Sequence, residues 1–223
     1  MKNYLANLLL FFASFLFAII LFVAYILLFS SDKTQVLLSP LSVKKTIDVS
    51  NFSLDKAPKD SLQGQISSLN NEVFWQSRIA TQASAITVPQ MIQQGELLKT
   101  GEKGEVKVEF TNVASVKLGS SSEVNFIQTL PVNLVLEQTQ GQVEYQKVGQ
   151  TPIAVRILHL LIEQDEGKII IDKIQDEAVI IVKIASGSAK IAFNDLDYNS
   201  QVVTLKAGEK FIFDDNTRTF DIK

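Results

Sequence analysis

The sequence predicts an all-β domain, an antiparallel sandwich or roll or else a short β-solenoid of many short strands, preceded by one N-terminal transmembrane helix and a flexible linker. Three observations predict it. A charge-free apolar segment runs from Tyr4 through Phe29, and a polar stretch without a sustained period follows it to about Asn71. From there apolar residues recur with period two, interrupted by Gly, Ser, Asn and Asp.

No residue between Lys2 and Asp32 carries a charge. A helix rises about 1.5 Å per residue, so ~20 apolar residues already cross the hydrocarbon core. Tyr4 and Tyr25 sit near the two ends, where amphipathic rings meet headgroups. A cleaved signal peptide would have an apolar part of roughly 7 to 15 residues and a small-x-small site. Here the segment is longer and ends in Ile26-Leu27-Leu28-Phe29. The expectation is an uncleaved helix over residues 4–30, which makes the membrane the first partner. Residues 1–3 would form a short cytoplasmic end, with the C-terminal part extracytoplasmic. Lys33, Lys44 and Lys45 count slightly against that orientation, but long domains translocate largely regardless of charge.

Residues 31–70, rich in Ser, Lys, Asp, Asn and Gln and containing Pro40 and Pro58, read as the linker. As a flexible chain it would span about 30 to 40 Å. The β domain is expected over 71–223. Its clearest strand is Glu105 to Phe110, where Val106, Val108 and Phe110 alternate with Glu105, Lys107 and Glu109. The same alternation recurs at Val116/Leu118, Val124/Phe126, Val132/Leu134/Leu136, Val143/Tyr145 and Ala189/Ile191/Phe193. Segments 153–163, 168–174 and 178–184 are more continuously apolar, which suggests strands covered on both faces. Turn chemistry marks Thr100 to Gly104, Gly119 to Ser122, Gln140-Gly141, Asp165 to Gly167, Ser186 to Ser188, Asn194 to Asn199, Ala207-Gly208 and Asp214 to Asn216. A helix is expected only around Gln76 to Ile86, if anywhere.

Composition narrows the function. The 21 basic and 24 acidic residues leave a net charge of -3, with no basic run to face a nucleic acid. Cys is absent, which removes disulfides, thiolate nucleophiles and thiolate metal sites.

The side chains that could carry chemistry do not converge. His159 is the only histidine and lies among large apolar residues, so it reads as a core or edge histidine. The acids Glu163/Asp165/Glu166, Asp195/Asp197 and Asp214/Asp215 read as solvated turn residues. The Asn194 to Asn199 segment is the one place weighed for weak calcium binding, which needs ~6 to 8 oxygens. Ser120 to Ser122 lack a nucleophile elbow, and Gly101-Glu102-Lys103-Gly104 fits no phosphate loop. Trp75 beside Phe74, with Phe211, Phe213 and Phe220, could form an aromatic surface for a glycan or peptide, although core packing is the simpler reading. No catalytic, cofactor-binding or metal-binding residue is assigned, and no enzyme is expected. Exposed β-branched edge strands could accept a strand from a partner.

The stretch Gly95-Glu96-Leu97-Leu98-Lys99-Thr100-Gly101, the strand Val106 to Phe110, Val116-Lys117-Leu118-Gly119 and Ser122-Glu123-Val124 together resemble the FecR domain. The likeness continues through Gly141-Gln142-Val143, Thr151-Pro152, Gly187-Ser188-Ala189-Lys190-Ile191 and Leu205-Lys206-Ala207-Gly208-Glu209, covering roughly residues 71 to 215. Gly167 to Ile171 stands where the family has a segment with Thr and Phe, and lacks both. The resemblance implies an extracytoplasmic β domain that binds or senses another envelope component, with no catalytic residues to carry over. With only Met1 to Asn3 ahead of the helix, direct handling of a sigma factor is not expected. The different-class expectation is a structural envelope protein that self-associates through its β domain.

Overall fold

The computed structural model describes residues 56–174 and 176–223, and every regular element among them is a strand. The helix expected over 4–30 lies outside the described residues. Among those described, no helix is long and apolar enough to cross a membrane.

The first strand, β1 (Gly64–Asn70), falls inside the stretch read as linker. Its sequence hides it. Ile66 is its one large side chain in full burial, serines fill the following positions, and the pairing is irregular between Ile66 and Ser68. The chain is nonetheless held there, because β1 is paired on one side with β4 (Met91–Ile92) and on the other with β6 (Glu105–Phe110). The cleanest alternation in the sequence thus coincides with a strand, and Val106, Val108 and Phe110 are buried as the period requires. No helix forms around 76–86. That segment closes β2 (Val73–Gln76), turns and enters β3 (Ser84–Ala85).

Two layers face each other. One runs β4, β1, β6, β7 (Ala114–Leu118), then the second half of β9 (Asn133–Lys147), the second half of β11 (Leu160–Lys173), the first half of β12 (Val179–Asn194), β14 (Lys210–Asp214) and β15 (Thr219–Ile222). The other runs β3, β2, β5 (Leu97–Thr100), β8 (Glu123–Leu130), the first half of β9, β10 (Ile153–Ile157), the first half of β11, the second half of β12 and β13 (Ser200–Lys206). Side chains from the two layers meet in the middle. Phe110 and Phe126 lie 5.9 Å apart, and Phe193 lies 5.0 Å from Phe213.

The three long strands belong to both layers, and their burial shows how. In β12 the buried positions are Ile180, Val182 and Ile184, then Ala189, Ile191 and Phe193, so the inward parity switches from even to odd. β9 switches between Gln138 and Val143, and β11 between Gln164 and Ile169. A strand of unbroken period two would turn its second half outward. Each strand avoids this by bending at a glycine in the left-handed region: Gly141 (φ 81°), Gly167 (φ 78°) and Gly187 (φ 78°). The turn signals at 140–141, 165–167 and 186–188 are therefore corners inside continuous strands.

Two corners share a pattern, Gln138-Thr139-Gln140-Gly141 and Gln164-Asp165-Glu166-Gly167. In each, the buried glutamine donates its amide to the glycine carbonyl three residues on, at 2.7 Å, and to a neighbouring strand's carbonyl. Tyr145, fully buried, donates its hydroxyl to Gln138 Oε1 at 3.1 Å, while Gln164 Oε1 has no partner. Burial holds the Tyr145 phenol well above its ordinary pKa.

Among the described residues every pairing is antiparallel except β9 with β10. The chain runs out along one layer in the first half of β9 and back along the other in its second half. It then returns through Val148 to Pro152, so β10 starts where β9 started and points the same way. That single wrap is the one solenoid-like feature of a sandwich. Segments 153–163, 168–174 and 178–184 are not covered on both faces, because Leu161 on the outer side is exposed and Ile170 and Ile181 are only half-buried.

Candidate binding surface

At the end of the sandwich where β10 turns into β11, the turn residues are Leu158 and His159, closed by the pair Ile157 and Leu160. Two-residue hairpin turns need left-handed backbone and favour Gly, Asn or Asp there. Here Leu158 adopts φ 48° and leaves half of its surface, 50%, in solvent. Carbon side chains reach that region at a cost of about 1 to 2 kcal/mol.

The loop between β12 and β13 leaves the same end of the same layer, since Leu161 on β11 pairs with Ala192 on β12. It holds a second such residue, Tyr198, at φ 63° and 87% exposed, beside Leu196 at 65%. On the outer face below the loop, Leu161, Ala192 and Val202 stand side by side across three strands. Leu161 and Val202 are exposed. Large apolar side chains presented on strained backbone beside an apolar row form a surface suited to contact with another molecule.

Acids fix the loops that present these side chains. Asp195 Oδ1 accepts the backbone N–H of Asp197 at 3.0 Å and of Asn199 at 2.8 Å, and Oδ2 accepts the side-chain amides of Asn199 and Gln201. These bonds, the Asn199 N–H foremost, hold its carboxyl below the usual aspartate pKa. His159 Nδ1 lies 3.0 Å from both oxygens of Asp215, whose turn is closed by Asp214 Oδ1 accepting the N–H of Asn216 and Thr217. His159 is thus an exposed turn histidine tied to an acid, at the rim and not in the core. A cleft of about 540 Å³ beside it is lined by Thr139, Gln140, Leu158, Lys173, Asp215 and Asn216 among others. Its lining mixes Lys173 with Asp176, Glu177 and Asp215, so no single charge type is selected.

The remaining candidates scatter. Among the described residues no group of three or more His, Asp or Glu could hold a metal, and the Asp195 oxygens are occupied by N–H donors. Glu163 and Glu166 stand on or beside β11, and Asp165 pairs with Lys190 at 3.3 Å. Ser122 is buried, its hydroxyl bonded to the Gln142 carbonyl at 3.0 Å and its N–H to the Thr100 hydroxyl at 2.9 Å. Gly101 and Gly104 lie against Glu72, where no Cβ would fit. Gly101, Gly104 and Ser122 therefore brace one end of the sandwich. Phe211 and Phe213 are core, Phe220 stacks on Phe211 at 5.2 Å, and Trp75 lies on another strand, donating to Glu96 at 3.0 Å. The aromatic residues form no common surface. Leu158 and Tyr198 carried no signal in the sequence, because neither residue type favours a turn.

Fold and surface together define a two-layered β-sandwich module with a preorganised apolar loop end. No protein-family model matches the chain, and no curated protein does. It is similar in part to two solved structures, each of a "putative anti-sigma factor" from Parabacteroides distasonis. They are 14% and 13% identical, with a TM-score of 0.49 for each. The match covers 57% of this chain and 58% of each of those, so the chain spans little more than half their length.

Proposed function

We propose that the chain is a membrane-anchored, extracytoplasmic binding module that holds another envelope protein through Leu158, Leu196 and Tyr198, and that it performs no chemistry of its own. The observation that carries the reading is the pair of large apolar residues kept exposed on left-handed backbone, Leu158 and Tyr198. Strain of that kind persists where the surroundings hold it, and here Asp195 bonds the residues on either side of Tyr198 and Asp215 bonds the one after Leu158. The charge-free segment from Tyr4 through Phe29 supports the anchor, and the ordered FecR-like matches support an envelope role.

The test is photo-crosslinking in intact cells from a probe replacing Tyr198, compared with one replacing Val88, which is also exposed but lies between β3 and β4. A discrete adduct from position 198, absent from position 88 and lost with Leu158→Asp, is the expected result. Equal labelling from both positions would remove the proposed site. Protease protection of the same cells tests orientation, and a β domain protected from external protease after outer-membrane permeabilisation would overturn the extracytoplasmic placement.

A further inference from the structure

The sandwich ends in four strand edges, and they are treated differently. On the N-terminal side β3 and β4 are two residues each, too short to template pairing. On the C-terminal side β15 is four residues, with Asp221 and Lys223 paired at 3.4 Å. β13 is seven residues, Ser200-Gln201-Val202-Val203-Thr204-Leu205-Lys206, and pairs only with β12. It contains no proline and carries no charge before its last residue. Half of its backbone N–H and C=O groups therefore face away from β12 without a strand to meet.

We infer that β13 pairs antiparallel with β13 of a second copy of this chain, about a twofold axis through Val203. This goes beyond the partner site proposed above, whose Leu158, Leu196 and Tyr198 lie in the loops, although the apolar row beside them ends on β13 at Val202.

Three features select that occupant. Antiparallel pairing places opposite residues on the same face, and a twofold at Val203 sets Val202 against Thr204, both outward, and Val203 against Val203, both inward. Of the registers that keep the faces, this one overlaps all seven residues. Charge agrees as well. The two ends of β13 differ in sign, with Lys206 at one and the loop bearing Asp197 at the other, and neither side chain has an ion pair among the described residues. Antiparallel pairing brings each Lys206 beside Ser200 of the second copy, at the foot of its acidic loop. Parallel pairing would stack Lys206 on Lys206. A twofold contact of this kind closes at two copies and does not propagate into a layer.

The absence of cysteine makes the test direct. The full-length chain in isolated membranes carries Val203→Cys, and a thiol oxidant is added. Opposed residues of an antiparallel pair have Cα atoms about 4.5 to 5.5 Å apart, within disulfide reach. Val203→Cys is expected to give a covalent dimer, whereas Ser84→Cys on β3 and Lys206→Cys give none, the two Lys206 positions standing ~20 Å apart. Adding Lys206→Glu to Val203→Cys should cut the yield about fivefold, and Ser200→Lys added to both should restore it. The inference is overturned if Val203→Cys links no better than Ser84→Cys, or if Lys206→Cys links as well as Val203→Cys. Light scattering of the unmodified chain in detergent supplies an independent readout, with a single-chain mass as the adverse result. Loss of the Tyr198 adduct with dimerisation intact would count against the partner site alone.

Discussion

Left-handed backbone serves opposite ends in two of the regions where it occurs. At the sandwich corners the left-handed residues are Gly141, Gly167 and Gly187, and two of the bends are closed by the buried glutamines Gln138 and Gln164. In the exposed loops the left-handed residues include Leu158 and Tyr198, and the closing groups are the carboxylates of Asp215 and Asp195. The corners use the one residue that adopts the conformation freely. The loops use residues that pay for it, and leave half or more of each side chain in solvent. Backbone that the fold requires is built without strain here, and strain is spent where side chains are shown to solvent.

The sharpest way to break the contrast is to put a side chain at a corner. A Cβ on Gly141 would overlap Ser122 Oγ and the Ser121 carbonyl, and one on Gly167 would overlap the Ser186 carbonyl. Gly141→Val or Gly167→Val should each lower stability by about 3 kcal/mol or more, enough to prevent folding in a marginal domain. Gly208 has φ 92° and open space around its Cβ position, so Gly208→Ala should cost only about 1 kcal/mol. Denaturant unfolding of the three variants orders them. A Gly141→Val protein as stable as Gly208→Ala would remove the distinction between required and tolerated bends.

The next effect separates the two corners from each other. Gln138→Leu leaves the Gly141 and Ile171 carbonyls and the Tyr145 hydroxyl without their partner, all in the interior. Gln164→Leu takes a side-chain donor from two carbonyls but removes an acceptor that has no partner already. The first should cost about 2 to 3 kcal/mol and the second about 1 to 2. The Tyr145 link also has a pH signature. Its folded pKa is raised, so its contribution is full below the ordinary tyrosine value and falls away as pH rises above about 10. Tyr145→Phe should flatten that alkaline loss, and an unchanged slope would show that the hydroxyl plays no part.

How much of this was legible follows from what each bend looks like in sequence. The strand Glu105 to Phe110 could be read residue by residue, because alternation and burial have the same cause. Gly141, Gly167 and Gly187 were visible as breaks, but a glycine that reverses a chain and one that bends a strand leave the same mark. Only the parity switch from Ile184 to Ala189 tells them apart, and its meaning depends on pairing across distant strands. β1 was hidden because Ser67 and Ser68 carry no apolar signal and its partner lies about forty residues on. The binding surface was the least legible part. Leu158 reads as one more apolar residue of a strand, and Tyr198 sits in a loop whose acids drew attention to cations.

In the exposed loops the expected sign reverses. Leu158→Asn places a residue that tolerates left-handed backbone at the hairpin turn, and should leave stability unchanged or raise it by up to about 1 kcal/mol. The same variant should abolish the adduct formed from position 198. Gain of stability with loss of contact is the signature of strain kept for binding. A Leu158→Asn protein that is less stable and still captures the partner would mean that Leu158 is a packing residue.

The smallest effect on the fold, and the most specific, belongs to Asp195. Its carboxylate is half-buried and its bonds all lie between Asp195 and Gln201, so Asp195→Asn should move the unfolding midpoint little. It should nonetheless weaken capture through Tyr198, because the neutral amide keeps one acceptor for the Asp197 and Asn199 N–H groups and loses the second oxygen that held Gln201. The pH dependence separates this from a simple change of surface charge. The folded-state pKa of Asp195 is lowered, so the loop's order is complete above the ordinary carboxylate value of about 4 and is lost as pH falls through the lowered one. Capture by the native chain should therefore stay level from neutral pH to about pH 4 as far as Asp195 is concerned, then fall at lower pH. In Asp195→Asn it should be low throughout with no acid step. An acid step that survives the substitution would place the titrating group outside Asp195.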